Sequence, residues 1–251
     1  LIVRGTSPED TRYYIDGQPL PLVFHFAGLS TVVNADSVRE VAFLPGGYGV
    51  RYGRSLGGVV DLRTDPTLPE RDRAYLSVDV YQSTAFVTHK LSDKTAISLS
   101  GRRSYIDAVL TPVLNAATGA GTRAPRYWDT QARLLHRSDR WGTVDATLLF
   151  SDDTFRIVGG ETEEGEPNVA IGLSDRFAKG RVLWTRELGD GWRNEFSVIA
   201  GPERRAFVIA PAGAYVGQWL QSFKEFPPRQ KPGSFNLDRV MEAVTAGSGD
   251  K

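Results

Sequence analysis

The chain has 251 residues, with 30 lysines and arginines against 30 aspartates and glutamates, so no net field directs it toward nucleic acid or an acidic partner. Hydrophobic residues make up 41% of it but never run unbroken for the roughly 18 positions that a membrane-crossing helix needs. The lack of cysteine excludes disulfide frameworks, thiolate metal sites and thiol catalysis together.

Glycine at 26 positions and aromatics at 10% suit an all-β chain, because tight turns need positive φ and pleated surfaces take rings well. The chain opens at Leu1-Ile2-Val3-Arg4-Gly5 without an initiating methionine or a signal sequence, and the expectation is that processing or truncation has removed its start. A first region, residues 1–66, reads as a small, turn-rich, mixed α/β unit. Tyr13-Tyr14-Ile15 is a strand entering a turn at Asp16-Gly17, and Pro19 and Pro21 block a helix after it. Val38 to Leu44 is a strand stopped by Pro45-Gly46-Gly47, and Val59 to Arg63 is another.

From residue 73 to residue 210 the rhythm changes to long alternating strands. Short turns fall at Ser92-Asp93-Lys94, Ser138-Asp139-Arg140 and Gly189-Asp190-Gly191. Val144, Ala146 and Leu148 share one face while Thr143, Asp145 and Thr147 share the other; Ile97 and Leu99 oppose Ser98 and Ser100 in the same way. Seven strands are expected, the last ending near Val208. Loops of about twenty residues are expected at Ile106 to Pro125, with a short helix at Ile106 to Leu110, and at Thr154 to Gly172. Strict alternation with short turns at one end and long loops at the other is the pattern of a transmembrane barrel, with Trp141, Trp184 and Trp192 forming an aromatic girdle beside the turns. A soluble antiparallel sandwich also alternates, but structureless loops of about twenty residues are uncommon in it. Residues 211–251 lose the rhythm; Phe235 to Val244 has helical spacing and no assigned role.

Gly53-Arg54-Ser55-Leu56-Gly57 fits the nucleophile-elbow spacing, which raises a barrel hydrolase using Ser55. The β-branched pair Val59-Val60 follows where an elbow needs a helix. The glycines from Gly46 to Gly58 do not keep the spacing of a dinucleotide loop and read as tight turns. Glu161 to Glu166 lacks the alternating oxygen ligands of a calcium loop. No metal or cofactor site is expected. Phe24-His25-Phe26 reads as a packed loop in preference to a site.

Taken in order, these elements resemble the plug of TonB-dependent outer-membrane receptors. Val3-Arg4-Gly5, Tyr14-Ile15-Asp16-Gly17-Gln18-Pro19, Val38-Arg39-Glu40-Val41, Gly46-Gly47, Arg51-Tyr52-Gly53 and Gly57-Gly58-Val59-Val60-Asp61-Leu62-Arg63-Thr64 follow the family's motifs over about 60 residues. The structural residues of that pattern are Arg4, Gly5, Asp16, Gly17, Gly46, Gly53, Gly57 and Gly58. The resemblance implies the later part of a plug followed by an incomplete antiparallel transmembrane β-barrel, an open meander of about seven strands, in the bacterial outer membrane. It further implies active import of a small-molecule or oligomeric ligand, a scarce nutrient such as an iron chelate, cobalamin or saccharide, and no enzyme activity. Its implied partners are the TonB energy-transducing complex, reached through a segment outside this chain, and outer-membrane lipid, with no nucleic acid. Plug loops hold ligand in that family, which points to Phe24, His25, Phe26, Tyr48 and Arg51, with the loops 21–30 and 46–54 expected on the outer side. A passive porin is the remaining alternative.

Overall fold

A computed structural model of the chain describes residues 2–7, 10–25, 28, 30–53, 55–118, 123–161 and 167–211. The helical spacing read at 235–244, Phe26, Arg54 and most of the acidic run at 161–166 lie outside these residues.

The first sheet has the order β2-β1-β6-β5, with β1 (Arg12–Ile15), β2 (Gln18–Leu20), β5 (Val38–Leu44) and β6 (Val59–Thr64). β1 and β2 form a hairpin closed by Asp16 at φ 48 and Gly17 at φ 77, both in the left-handed region that a two-residue hairpin turn uses. Pro19 is tolerated because β2 is an edge strand. β1 runs parallel to β6 and β5 antiparallel to it. A two-residue pair, β3 (Phe24–His25) with β4 (Ser30–Thr31), stands apart.

The second sheet is an antiparallel meander built from β7 (Arg73–Val78), β8 (Gln82–Ser92), β9 (Thr95–Ser104), β10 (Arg123–Ser138), β11 (Gly142–Glu161), β12 (Pro167–Gly189), β13 (Trp192–Ala200) and β14 (Glu203–Pro211). β13 and β14 both pair with β12, and Gly180↔Ala200 and Phe177↔Glu203 belong to one unbroken register. They are one long strand interrupted at Gly201-Pro202, so the sheet has seven strand paths, as the alternation implied. β7 and β13/β14 are its two edges and do not pair with each other, so the sheet is open. No described helix is long and apolar enough to cross a membrane.

Two loop expectations are corrected. The stretch 154–172 is mostly strand, since β11 continues to Glu161 and β12 starts at Pro167. The helix expected to end at Leu110 runs over Ile106–Thr118 as α1, with Pro112 inside it.

The two faces of the large sheet differ chemically. Outward rows read straight across the strands: Thr95-His136-Val144-Trp184-Phe196, then Ile97-Leu134-Ala146-Val182-Val198, then Leu99-Ala132-Leu148-Gly180-Ala200. From Val144 to Asp152 the band spans ~26 Å of strand at about 3.3 Å per residue, comparable to a lipid-facing band before strand tilt is counted. The inward positions include buried Asp129, Gln131, Asp145, Thr147, Ser151, Asp153 and Arg181. The small sheet lies against this inward face, and the core between them joins Ile15, Leu20, Val23, Val32, Val33 and Leu62 to Leu149 and Phe177 of the wall.

Candidate functional site

The junction between the small sheet and the wall is polar as well as apolar, and its centre is His25. The His25 ring is fully buried. Its Nδ1 lies 2.7 Å from Asp153 Oδ1 on β11, and its Nε2 lies 3.1 Å from Asp129 Oδ2 on β10. Two carboxylates facing both ring nitrogens are satisfied together only by the imidazolium, which donates at each. Burial opposes that charge, but the two carboxylates outweigh it and hold the His25 pKa above the ordinary histidine value. Tyr127 stacks on the ring at 4.0 Å with planes 7° apart, and its hydroxyl donates to Gln82 at 2.7 Å. Arg102 closes the group: its Nε donates to Asp129 at 2.8 Å, and its other nitrogens donate to the Ser30 hydroxyl and the Thr31 carbonyl. Both strands of the β3–β4 pair are thus fastened to the wall by charge-assisted bonds.

Further ties follow toward the short-turn end. Arg181 donates to the Asp16 carbonyl at 3.2 Å and to the carboxylates of Asp16 and Asp145 at 3.3 Å each. Asp16 also accepts from the backbone and the hydroxyl of Thr64, each at 2.8 Å, so one turn residue serves hairpin, sheet and junction. Arg133 binds Asp145 through two bonds of 2.7 and 3.0 Å and reaches the Asp65 carbonyl, while Arg137 reaches that of Pro66. Between the segment 65–73 and the wall lies a cavity of about 270 Å³, bordered by Asp36, Asp65, Arg73, Gln131 and Arg133. Its volume falls just below the usual range for ligand pockets.

The residues expected to hold ligand are not brought together. His25 is sealed in the junction, with both ring nitrogens engaged. Phe24 is half exposed and meets Tyr13 edge-on at 6.3 Å. Tyr48 is a structural tie, its hydroxyl donating to the Ser55 carbonyl at 2.7 Å. Arg51 pairs with Glu195 at 3.7 Å, close to the short turn at residues 189–191. The expectation that both plug loops face the same outer end is therefore corrected: Arg51 points to the short-turn end, and His25 meets the upper halves of β10 and β11.

The structure also counts against a nucleophilic Ser55. Its hydroxyl lies 2.9 Å from the carbonyls of Asp10 and Gly58, and strand β6 follows it where an elbow needs a helix. Among the described residues no cluster of potential metal ligands occurs. The motif residues act locally. Arg4 at φ 53 and Gly5 at φ 76 make a turn that lays the Arg4 guanidinium on Gly46, where a Cβ would come 2.7 Å from it. Gly53 offers its carbonyl to the Tyr14 hydroxyl at 3.1 Å.

The strand pattern implied polar inward positions but not the grouping of Asp129, Asp153, Arg102 and Tyr127. Only the parity of charged positions within strands β9 to β11 pointed to them.

No known family profile matches the chain, and no curated protein sequence matches it. Among solved structures, the chain is similar to a mutant of the ferric enterobactin receptor PfeA from Pseudomonas aeruginosa at a TM-score of 0.42 and 15% identity, over 81% of this chain and 39% of that one. It is similar to the siderophore receptor PirA from Acinetobacter baumannii at 0.39 and 15%, over 82% and 38%. The match to PirA from Pseudomonas aeruginosa is 0.39 and 15%, over 83% and 46%. The chain thus spans less than half the length of each of these structures.

Proposed function

We propose that this chain is part of a TonB-dependent outer-membrane receptor, with residues 1–66 as the later plug and residues 73–210 as the first part of the barrel wall. One observation carries the reading: a single sheet has an apolar outward band and a charged inward face, and the small sheet is fastened to the charged face. A soluble sandwich would bury the apolar face and turn the charged one to water; here the arrangement is reversed, as a wall between lipid and a filled lumen requires. The ordered motifs from Arg4 to Thr64 support the same reading independently.

The proposed activity is energised import of a small scarce nutrient such as an iron chelate, cobalamin or a saccharide, with energy delivered by the TonB complex. A junction held by buried ion pairs suits that role. Each pair holds only while both partners are in place, since a buried charge left without its partner costs about 3–5 kcal/mol. Ligand contact is assigned to Phe24, α1 and the tall β11–β12 hairpin.

The test is made in the full-length protein that contains this chain. It should fractionate with the outer membrane, migrate differently on gels with and without heating, and lose uptake when the proton gradient is dissipated. Recovery as a soluble periplasmic protein overturns the membrane reading, while uptake indifferent to the gradient indicates a passive pore. Deletion of residues 158–170 should reduce uptake without changing heat-modifiability; unchanged uptake removes that hairpin from the ligand site.

A further inference from the structure

We infer that the wall and the segment lying over it enclose a binding site for a small uncharged polyhydroxy molecule, about one sugar ring in size, on the short-turn side of the His25 junction. The site is the cavity of about 270 Å³ between residues 65–73 and the inward face. It depends on that cavity and not on the membrane reading, and it lies toward the opposite end of the wall from α1 and the tall β11–β12 hairpin. Gln131, which borders it, is the next inward position on β10 after Asp129. The segment 65–73 is a span fastened at both ends. Arg133 and Arg137 donate to the carbonyls of Asp65 and Pro66 at 2.7 and 2.9 Å, and the Asp72 carboxylate accepts from the Lys90 backbone at 2.9 Å. Among the described residues, Leu68 to Arg71 make no hydrogen bond to the wall, so the middle of the span stands over the cavity.

The lining fixes the chemistry of the ligand. Phe86, Ala96 and Leu135, all buried, make an apolar floor. The polar groups set beside it are acceptors. Gln131 is only 4% exposed, and its Oε1 is buried without a partner. Thr88 gives its one hydroxyl hydrogen to the Ile97 carbonyl at 3.3 Å and therefore accepts from Ser98 at 2.9 Å, which leaves the Ser98 oxygen with acceptor capacity alone. The nearby donors are spent: Arg133 gives Nε and Nη2 to Asp145 and Nη1 to Asp65, while Arg73 is paired with Asp36 at 2.9 Å. A ligand must therefore bring the hydrogens, and a buried acceptor left unsatisfied costs more than a typical hydrogen bond gains. It must also be uncharged, because Asp36, Asp65 and Glu70 border the cavity against Arg71, Arg73 and Arg133, in equal number. A hydroxylated ring meets these demands, with hydroxyls for Gln131 and Ser98 and a C–H face for the apolar floor. At about 30 Å³ per water the cavity has room for about nine waters. A ring displaces those over Phe86 and Leu135, which offer them no side-chain hydrogen bond, and replacing such waters by an apolar surface favours binding.

The experiment titrates the full-length protein, in a detergent without a sugar headgroup, with glucose, protonated glucosamine, glucuronate and maltose. Binding is read as slowed amide exchange in residues 67–72, with residues 192–199 as the internal reference, so a saccharide held elsewhere on the protein does not register. Glucose should slow the span at lower concentration than its cationic and anionic analogues, and maltose should have no effect, since a second ring exceeds the space. Gln131→Leu removes the acceptor at nearly constant volume and should weaken the glucose effect roughly fivefold, the loss of one neutral hydrogen bond. Thr130→Val, the outward neighbour on β10, should leave it unchanged. Exchange in the span indifferent to glucose, a stronger response to glucosamine or glucuronate, a maltose effect equal to that of glucose, or an undiminished glucose effect in Gln131→Leu each overturns the inference. The four probes are compared on wild type, so they decide the matter even where Gln131→Leu does not fold. The readout is local to the cavity, so a parent recovered outside the outer membrane refutes the membrane reading and leaves this site to be judged by the same titration in plain buffer.

Discussion

His25 makes the fastening of the small sheet dependent on pH. Its folded pKa lies above the unfolded value of about 6.5, so the stabilisation is complete below that value and is lost as pH rises through the folded one. Amide exchange of the β3–β4 pair, corrected for intrinsic rate, should therefore accelerate as pH climbs above the ordinary histidine range. His25→Gln should abolish that dependence, and His25→Ala should cost about 3–5 kcal/mol by leaving buried Asp153 without its cation, while Asp129 keeps Arg102. A flat exchange profile in wild type would refute the charged ring. The sequence read Phe24-His25-Phe26 as a packed loop, which fits the burial of His25. It could not supply the partners, because Asp129 and Asp153 stand 104 and 128 residues further along the chain. The glycines were legible only as turns. A Cβ on Gly57 would come 2.7 Å from the Thr6 hydroxyl and one on Gly58 3.0 Å from Val3, so at these two positions close packing, more than backbone freedom, excludes a side chain.

The strands were legible wherever an apolar outward face and a polar inward face impose opposite demands on alternate residues, as from Thr143 to Phe150. Above the apolar band the contrast between the two faces ends and alternation loses its cause, which is why the upper parts of β11 and β12 read as a loop. The sequence reading runs one strand through Gly201-Pro202, although a Gly-Pro pair is itself a breaker signal. Gly201 has φ 146, and a Cβ there would come 1.9 Å from the Ala178 carbonyl, while the Pro202 carbonyl accepts from Ala178 at 3.0 Å and keeps the register. Gly201→Ala should therefore separate β14 from β12, seen as lost protection of residues 203–209 with residues 192–199 unchanged. On the outward face, Leu148→Arg places a charge in the middle of the band and should cost about 2–4 kcal/mol, read as a reduced heat-modifiable fraction in outer membranes. An undiminished fraction would mean that this face does not meet lipid.

Taken by itself, the chain leaves β7 and β13/β14 as unpaired edges and exposes Leu76, Val78, Leu148, Val182 and Phe196. Purified on its own, it should aggregate in plain buffer and stay dispersed in detergent, which sedimentation measures directly; a monodisperse monomer in buffer would contradict the open wall. The long reach of the junction contacts also sets an order in time. Each strand of the wall pairs with its neighbour in sequence, whereas Arg181 to Asp16 and Arg205 to Pro21 span 165 and 184 residues. Local pairings close small loops and form early; those spanning most of the chain must await both surfaces. Refolding into micelles should therefore show two phases, with strand signal rising first and burial of Tyr127 against His25 later. Residues 1–66, which precede the wall in the chain, would be the last to find their place.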